Sequence, residues 1–272
     1  MAQFLVLSSA LAIKETTLGP NDLSLAPSLN NLAALYIRQG KYAEAESLYQ
    51  RSLSIRQATL RPDHPDLANS LNNLAALYGR EGRFADAEPM YRRAISIAEK
   101  SLGPSHPEVA TGLTNLAELY CSDKKYSEAE PLYRRALSIR EKALGPDHPD
   151  VAQSLDNLAG LLMLISRQVN VELLYLRALE IRKKVFGPDS SPVVLSLNNL
   201  GVAYAKEEKF AESERTLNAA LAILAKQSKQ NPATLATLYS NLSNLYQHCG
   251  NSKKSQKMAE KARMVRDQKS SS

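Results

Sequence analysis

Asn31, Asn73, Asn115, Asn157, Asn199 and Asn241 recur every 42 residues, and each is followed by leucine. A primary amide donates two hydrogen bonds and accepts others, so such a row can pair with the main chain of an extended peptide. It can equally bridge one helix to the backbone of the next repeat. Asn inside a helix costs several tenths of a kcal/mol against Ala, so six at one position need a reason, and both reasons stand. A second row is cationic: Arg56, Arg140 and Arg182, with Lys14 and Arg266 in matching places. These guanidiniums could face a ligand, or pair with neighbours such as Glu141 and with a helix C-terminal dipole. Ala98 and Leu224 interrupt the row. His64, His106 and His148 invite a metal reading, yet they come one per repeat, about 10 Å or more apart on stacked helices. A zinc ion needs ligands at about 2 Å, so the histidines read as turn chemistry. No nucleophile–base pair, phosphate-binding glycine loop or HExxH motif accompanies them, and the sequence predicts no enzyme, no cofactor and no small-molecule substrate.

The elements that must hold these rows follow from one repeat, residues 61–102. Pro62 and Pro65 bar helix from the turn and set its start, and Asp63 is placed to cap the next helix. Leu67, Leu71, Leu74, Ala75 and Tyr78 then recur at three- and four-residue spacing, one stripe of an amphipathic helix from Asp66 to Arg80. Gly82 ends it in a left-handed conformation. A second helix is predicted from Arg83 to about Lys100, with Phe84, Ala87, Tyr91, Ala94, Ile95 and Ala98 inward and Pro89 in its first two turns. The turn recurs as LRPDHP, LGPSHP, LGPDHP and FGPDSSP. A fixed period of this length predicts stacked helical hairpins, each burying its apolar face against its neighbours.

Leucine, small residue and Tyr, then Ala, aromatic and Ala, form the tetratricopeptide signature. Segments such as LNNLAALYGREGRFADAEPMYRRAISIAEKSLGPSHP closely resemble the 42-residue repeats of kinesin light chains and of nephrocystin-3. The resemblance runs from about residue 5 to the end. It implies an all-α, right-handed α-solenoid of about 13 helices, with 1–272 a single array. A leading second helix occupies 1–18, repeats fall at about 19–60, 61–102, 103–144, 145–186, 187–228 and 229–267, and 268–272 is a polar tail. In kinesin light chains the matching Asn and Arg positions line a concave groove that binds acidic, Trp-containing cargo peptides. The resemblance therefore implies peptide contacts at Asn73, Asn115, Asn157, Asn199, Arg56, Arg140 and Arg182. The neighbouring stripe on the first helices, including Asn72, Thr111 and Gln153, is small or amide-bearing and suits an extended backbone. Its lack of Lys and Arg argues against a clamp for a C-terminal carboxylate.

Composition bounds the partners. The net charge is +6, and residues 250–272 hold seven basic against two acidic side chains, so most of the surplus is terminal. A solvated end cap explains that better than nucleic-acid binding, because terminal repeats need a polar outer face. Cys121 and Cys249, about three repeats apart, are too distant to pair; two isolated thiols fit a reducing compartment, predicting the cytoplasm. No apolar run reaches the ~20 residues of a membrane span. The start, MAQFLVLSSALA, lacks a basic leader and aligns with the repeat, Leu11 and Ile13 matching Leu53 and Ile55. The fourth repeat departs from the pattern: Leu162 replaces Tyr, Ser166 replaces the turn Gly, Gln168 the next aromatic and Val171 the small residue, beside the run Leu161–Ile165. The reading is thus a non-catalytic adaptor for short protein segments. Its alternative is a structural scaffold or oligomerisation module using the apolar fourth repeat.

Overall fold

The computed structural model describes residues 2–165, 170–227 and 231–270, and among them thirteen helices and no strand. It divides into two compact units, Met1–Ala143 and Leu144–Ser272. In the first, α1 (Ala2–Leu18) precedes the hairpins α2 (Leu25–Arg38) with α3 (Tyr42–Thr59), α4 (Pro65–Arg80) with α5 (Phe84–Leu102), and α6 (Pro107–Ser122) with α7 (Tyr126–Leu144). The second holds α8 (Pro149–Leu164) with α9 (Val171–Phe186), α10 (Ser191–Lys206) with α11 (Phe210–Lys226), and α12 (Pro232–His248) with α13 (Ser252–Ser270). Ser166 and Gln168 lie outside the described residues.

The helix ends follow the turn chemistry, with one correction. Asp63 does not cap α4. His64 is the capping residue, and its Nδ1 accepts the Asp66 backbone N–H at 3.2 Å. His106 and His148 cap α6 and α8 in the same way, at 3.2 Å from Glu108 N and Asp150 N. A Pro at the first helical position removes one N–H that would lack a partner, and the imidazole satisfies another. At the far end of α4, Gly82 takes φ +75° and Arg83 N–H closes back on Tyr78 O at 2.8 Å, the Schellman pattern. Lys124 and Glu208 hold the same left-handed position with φ 59° and 60°.

The α4–α5 hairpin buries the predicted stripes except for Phe84, which is half-buried at the start of α5. Leu67, Leu71, Leu74, Ala75 and Tyr78 of α4 and Ala87, Tyr91, Ala94, Ile95 and Ala98 of α5 are all buried. Each Leu so enclosed contributes roughly 1.5–3 kcal/mol. Small residues let helices approach: a methyl added at Gly112 would meet Ile95 Cγ1 at 2.8 Å, and one at Gly201 would meet Leu217 Cγ at 2.7 Å. First helices also touch one another, α2 with α4 and α4 with α6 in the first unit, α8 with α10 and α10 with α12 in the second. The face they share positions the asparagines.

Candidate functional site

The leucine after each ladder asparagine fixes where the amide goes. Leu74, Leu116, Leu158 and Leu200 are buried, which leaves Asn73, Asn115, Asn157 and Asn199 half-buried at the edge of the core, while Asn31 is exposed. The amides then differ between units. Among the described residues, those of Asn73 and Asn115 make no hydrogen bond within the protein. In the second unit, Gln153 Nε2 donates to Asn157 Oδ1 at 2.9 Å, and Asn241 Nδ2 donates to Asn198 Oδ1 at 2.7 Å. Bridging between first helices thus occupies Asn241, through a side chain rather than the backbone expected. Thr111 and Gln153 stand exposed, whereas Asn72 is half-buried and its Oδ1 is enclosed without a partner.

The arginine row lies within the helix stack. Arg56, Arg140 and Arg182 are 5–8% exposed. Arg56 Nη1 donates to Ser70 Oγ at 2.7 Å and to Asp66 O at 2.9 Å. Arg182 Nη1 donates to Ser196 Oγ and to Asp156 Oδ2, each at 2.6 Å, and Arg140 is likewise engaged within the protein. Lys14 Nζ repeats the geometry on Ser28 Oγ at 3.2 Å. Lys14, Arg56 and Arg182 therefore each clasp a serine fourteen residues on, in the first helix of the next repeat, whereas Arg266 Nη2 reaches back to Ser240 Oγ at 2.8 Å. Where the cation is missing, so is the serine: Ala98 is matched by Gly112, and Leu224 by Leu238. Sequence reasoning missed these serines, although that paired loss was a signal for them. Burial pushes the Asp156 carboxyl up, with the Arg182 guanidinium pulling the other way.

Tyrosines form two rows with opposite fates. On the first helices, Tyr78, Tyr120, Tyr204 and Tyr246 donate to Glu46, Glu88, Glu172 and Glu214 at 2.6–3.1 Å, each glutamate lying on the preceding second helix. Cations complete these ties: Arg83 stacks on the Tyr78 ring at 3.8 Å and bonds Glu46 at 3.1 Å. On the second helices, Tyr49, Tyr91, Tyr133 and Tyr175 are buried, and burial raises the pKa of all four, to about 12 for Tyr91 and Tyr175. Of their hydroxyls, Tyr133 has only the Cys121 Sγ at 3.9 Å, and those of Tyr49, Tyr91 and Tyr175 make no hydrogen bond among the described residues.

Tyr91 and Asn115 meet in a depression of about 280 Å³ between α4 and α6, with Arg80 and Glu118 at its sides. The protein walls around Glu118 raise its carboxyl pKa, against the pull of Arg140. The face offers hydrogen-bond donors and acceptors with one charge of each sign, a binding surface for polar groups. His64, His106 and His148 take no part, since their Nδ1 atoms serve the helix caps. Among the described residues no helix is long and apolar enough to cross a membrane.

Family models described as tetratricopeptide repeat match residues 7–58, 24–100, 66–142, 108–167 and 174–226, and another of that description matches 151–191. Among curated proteins no relative matches. BtubC (BKLC) of P. vanneervenii aligns with a TM-score of 0.67 at 26% identity, covering 89% of this chain and 92% of its own. A candidate kinesin light chain of Podosopora anserina with nearly identical tetratricopeptide-like repeats aligns with a TM-score of 0.67 at 25% identity, over 76% of this chain and 99% of its own. The apo form of RapI, 12% identical with a TM-score of 0.67 over 97% of this chain, shares the fold. A solenoid of helical hairpins with capped turns, matched from residue 7 to residue 226 by these models, makes the chain a member of the tetratricopeptide repeat family, of the kinesin-light-chain type.

Proposed function

We propose that the chain is a non-catalytic, cytoplasmic adaptor that holds short extended segments of partner proteins, acidic or aromatic in character, on its first-helix face. Asn73, Asn115, Asn157 and Asn199 pair with the bound main chain. Asn72, Thr111 and Gln153 flank them, and Arg56, Arg140 and Arg182 contribute from beneath. The observation that carries the reading is the pair of amides, Asn73 and Asn115, with no partner among the described residues, at a position where the helix would be more stable with Ala. The likeness to kinesin-light-chain-type repeats supports it.

The test is an array of twelve-residue peptides probed with the purified wild type and with Asn73→Ala/Asn115→Ala. The double variant should lose capture at least tenfold and melt no lower than the wild type. Full capture by that variant sinks the reading. Arg140→Ala is a poor companion change, because Arg140 is buried and engaged.

A second reading has its own observation. Leu164 and Leu173 of the fourth repeat are 61% and 63% exposed, an apolar surface suited to assembly. Under that scaffold reading, Leu164→Asp/Leu173→Asp converts an oligomer to a monomer in sedimentation while peptide capture is unaffected.

A further inference from the structure

Within the first unit, the depression between α4 and α6 is lined by a tyrosine whose ring is buried and whose hydroxyl remains accessible. Tyr91 is 4% exposed, opens onto that space, and its hydroxyl bonds to nothing among the described residues. In the same unit the Tyr78 and Tyr120 hydroxyls are taken, on Glu46 and Glu88 at 2.8 Å, whereas that of Tyr91 stays open to the depression and available to an occupant. Asn115, also without an internal bond, faces the same space, and Arg80 and Glu118 flank it.

We propose that this depression receives one peptide group of a bound chain, its carbonyl accepting from the Tyr91 hydroxyl and the Asn115 amide and its N–H donating to the Glu118 carboxylate. The inference rests on the peptide-binding reading and adds to it the buried tyrosine as a contact and a neutral occupant. A carboxylate side chain in this space would meet Glu118, and an ammonium would meet Arg80. A neutral group with one donor and one acceptor conflicts with neither.

The second unit offers an internal comparison. The positions three repeats on, Val202, Ala205, Lys206, Leu217, Asn241 and Asn244, line a depression of about 260 Å³. There Leu217 stands in place of Tyr91, and the Asn241 amide is already donated to Asn198 Oδ1 at 2.7 Å. The hollow persists with its hydrogen-bonding floor removed, so of these two depressions the first-unit one is suited to a main chain.

Tyr91→Phe deletes one oxygen and leaves the ring in place. The first probe is the tightest peptide from the array. The variant should bind it about fivefold more weakly, the worth of one neutral hydrogen bond, at an unchanged or higher melting temperature. Tyr120→Phe, which breaks a made hydrogen bond, should do the reverse: a lower melting temperature and unchanged affinity. The second probe is blocked trialanine, which presents a main chain and methyl groups alone. It should shift the 13Cζ resonance of Tyr91, assigned by its loss in Tyr91→Phe. Equal peptide affinity in wild type and Tyr91→Phe overturns the inference and leaves the adaptor reading intact. If no array peptide is captured, the adaptor reading falls, and a Tyr91 resonance unmoved by trialanine then overturns the inference too.

Discussion

Arg182 holds two groups at once, the Ser196 hydroxyl of the next repeat and the buried carboxylate of Asp156. Arg182→Ala would leave Asp156 charged and enclosed, a change that costs about 3–5 kcal/mol, read as a lowered urea midpoint. Asp156→Asn should cost far less, because the amide carries no buried charge and keeps an acceptor oxygen for Arg182; Asn30 already stands at the matching position before Arg56. An Arg182→Ala protein within about 1 kcal/mol of the wild type would show that the arginine is not a structural clasp. The contrast marks what was legible in the sequence. Period and neighbouring leucines placed the asparagine row, because a fixed position on a helix fixes its face. Nothing at Arg182 itself shows its burial, which is decided by Ser196 in another helix. That dependence was written in the sequence only as a correlation, the loss of serine at Gly112 and Leu238 wherever Ala98 and Leu224 replace the cation. The inner tyrosines were read as core, which is true of their rings; that their hydroxyls lack partners is a matter of distance that no spacing reveals.

Helix ends were the most legible feature because prolines and glycines act through the backbone alone. The predicted span Asp66–Arg80 differs from the observed Pro65–Arg80 by one residue at its start. The identity of the cap was not legible, since Asp63 and His64 both stand in the turn and only the backbone path selects between them. His64→Ala should therefore cost about 1 kcal/mol in thermal melting, and His64→Asn, which retains an acceptor, should recover most of it. Asp63→Ala should be neutral by the same measurement. The same logic applies where the glycine of the turn is absent. Lys124 and Glu208 hold φ near +60°, a conformation that costs an L-residue about 1–2 kcal/mol. Lys124→Gly and Glu208→Gly should each raise stability by about 0.5–1 kcal/mol, the strain relieved less the entropy glycine loses on folding. A decrease in melting temperature for both would contradict that account.

At the scale of the whole molecule, a repeat protein is as stable as its neighbour-to-neighbour ties, and the tyrosine–glutamate contacts are ties whose strength depends on pH. Arg92 and Tyr120 hold the Glu88 carboxyl below its ordinary range, Lys209 and Tyr204 do so for Glu172, and Tyr246 and Lys254 for Glu214. A carboxyl whose pKa is lower folded than unfolded stabilises the fold above the unfolded value, near 4.3. That stability is lost as pH falls through the depressed folded value. Glu118 and Asp156 act in the opposite sense, since burial raises both, and their protonation relieves part of the loss. Melting temperature should therefore fall between pH 5 and pH 3. Asp156→Asn should steepen that fall, because it removes one of the groups that gains from acid. Tyr120→Phe should lower the melting temperature most at neutral pH, and its deficit against the wild type should shrink towards pH 3 as Glu88 protonates in both proteins. The deficit should persist in part, because Arg92 Nη2 also donates to the Tyr120 hydroxyl at 2.7 Å and keeps its charge at every pH tested. A deficit independent of pH would mean that the Tyr120 hydroxyl contributes through Arg92 alone, and that the glutamates are not the groups through which acid loosens one repeat from the next.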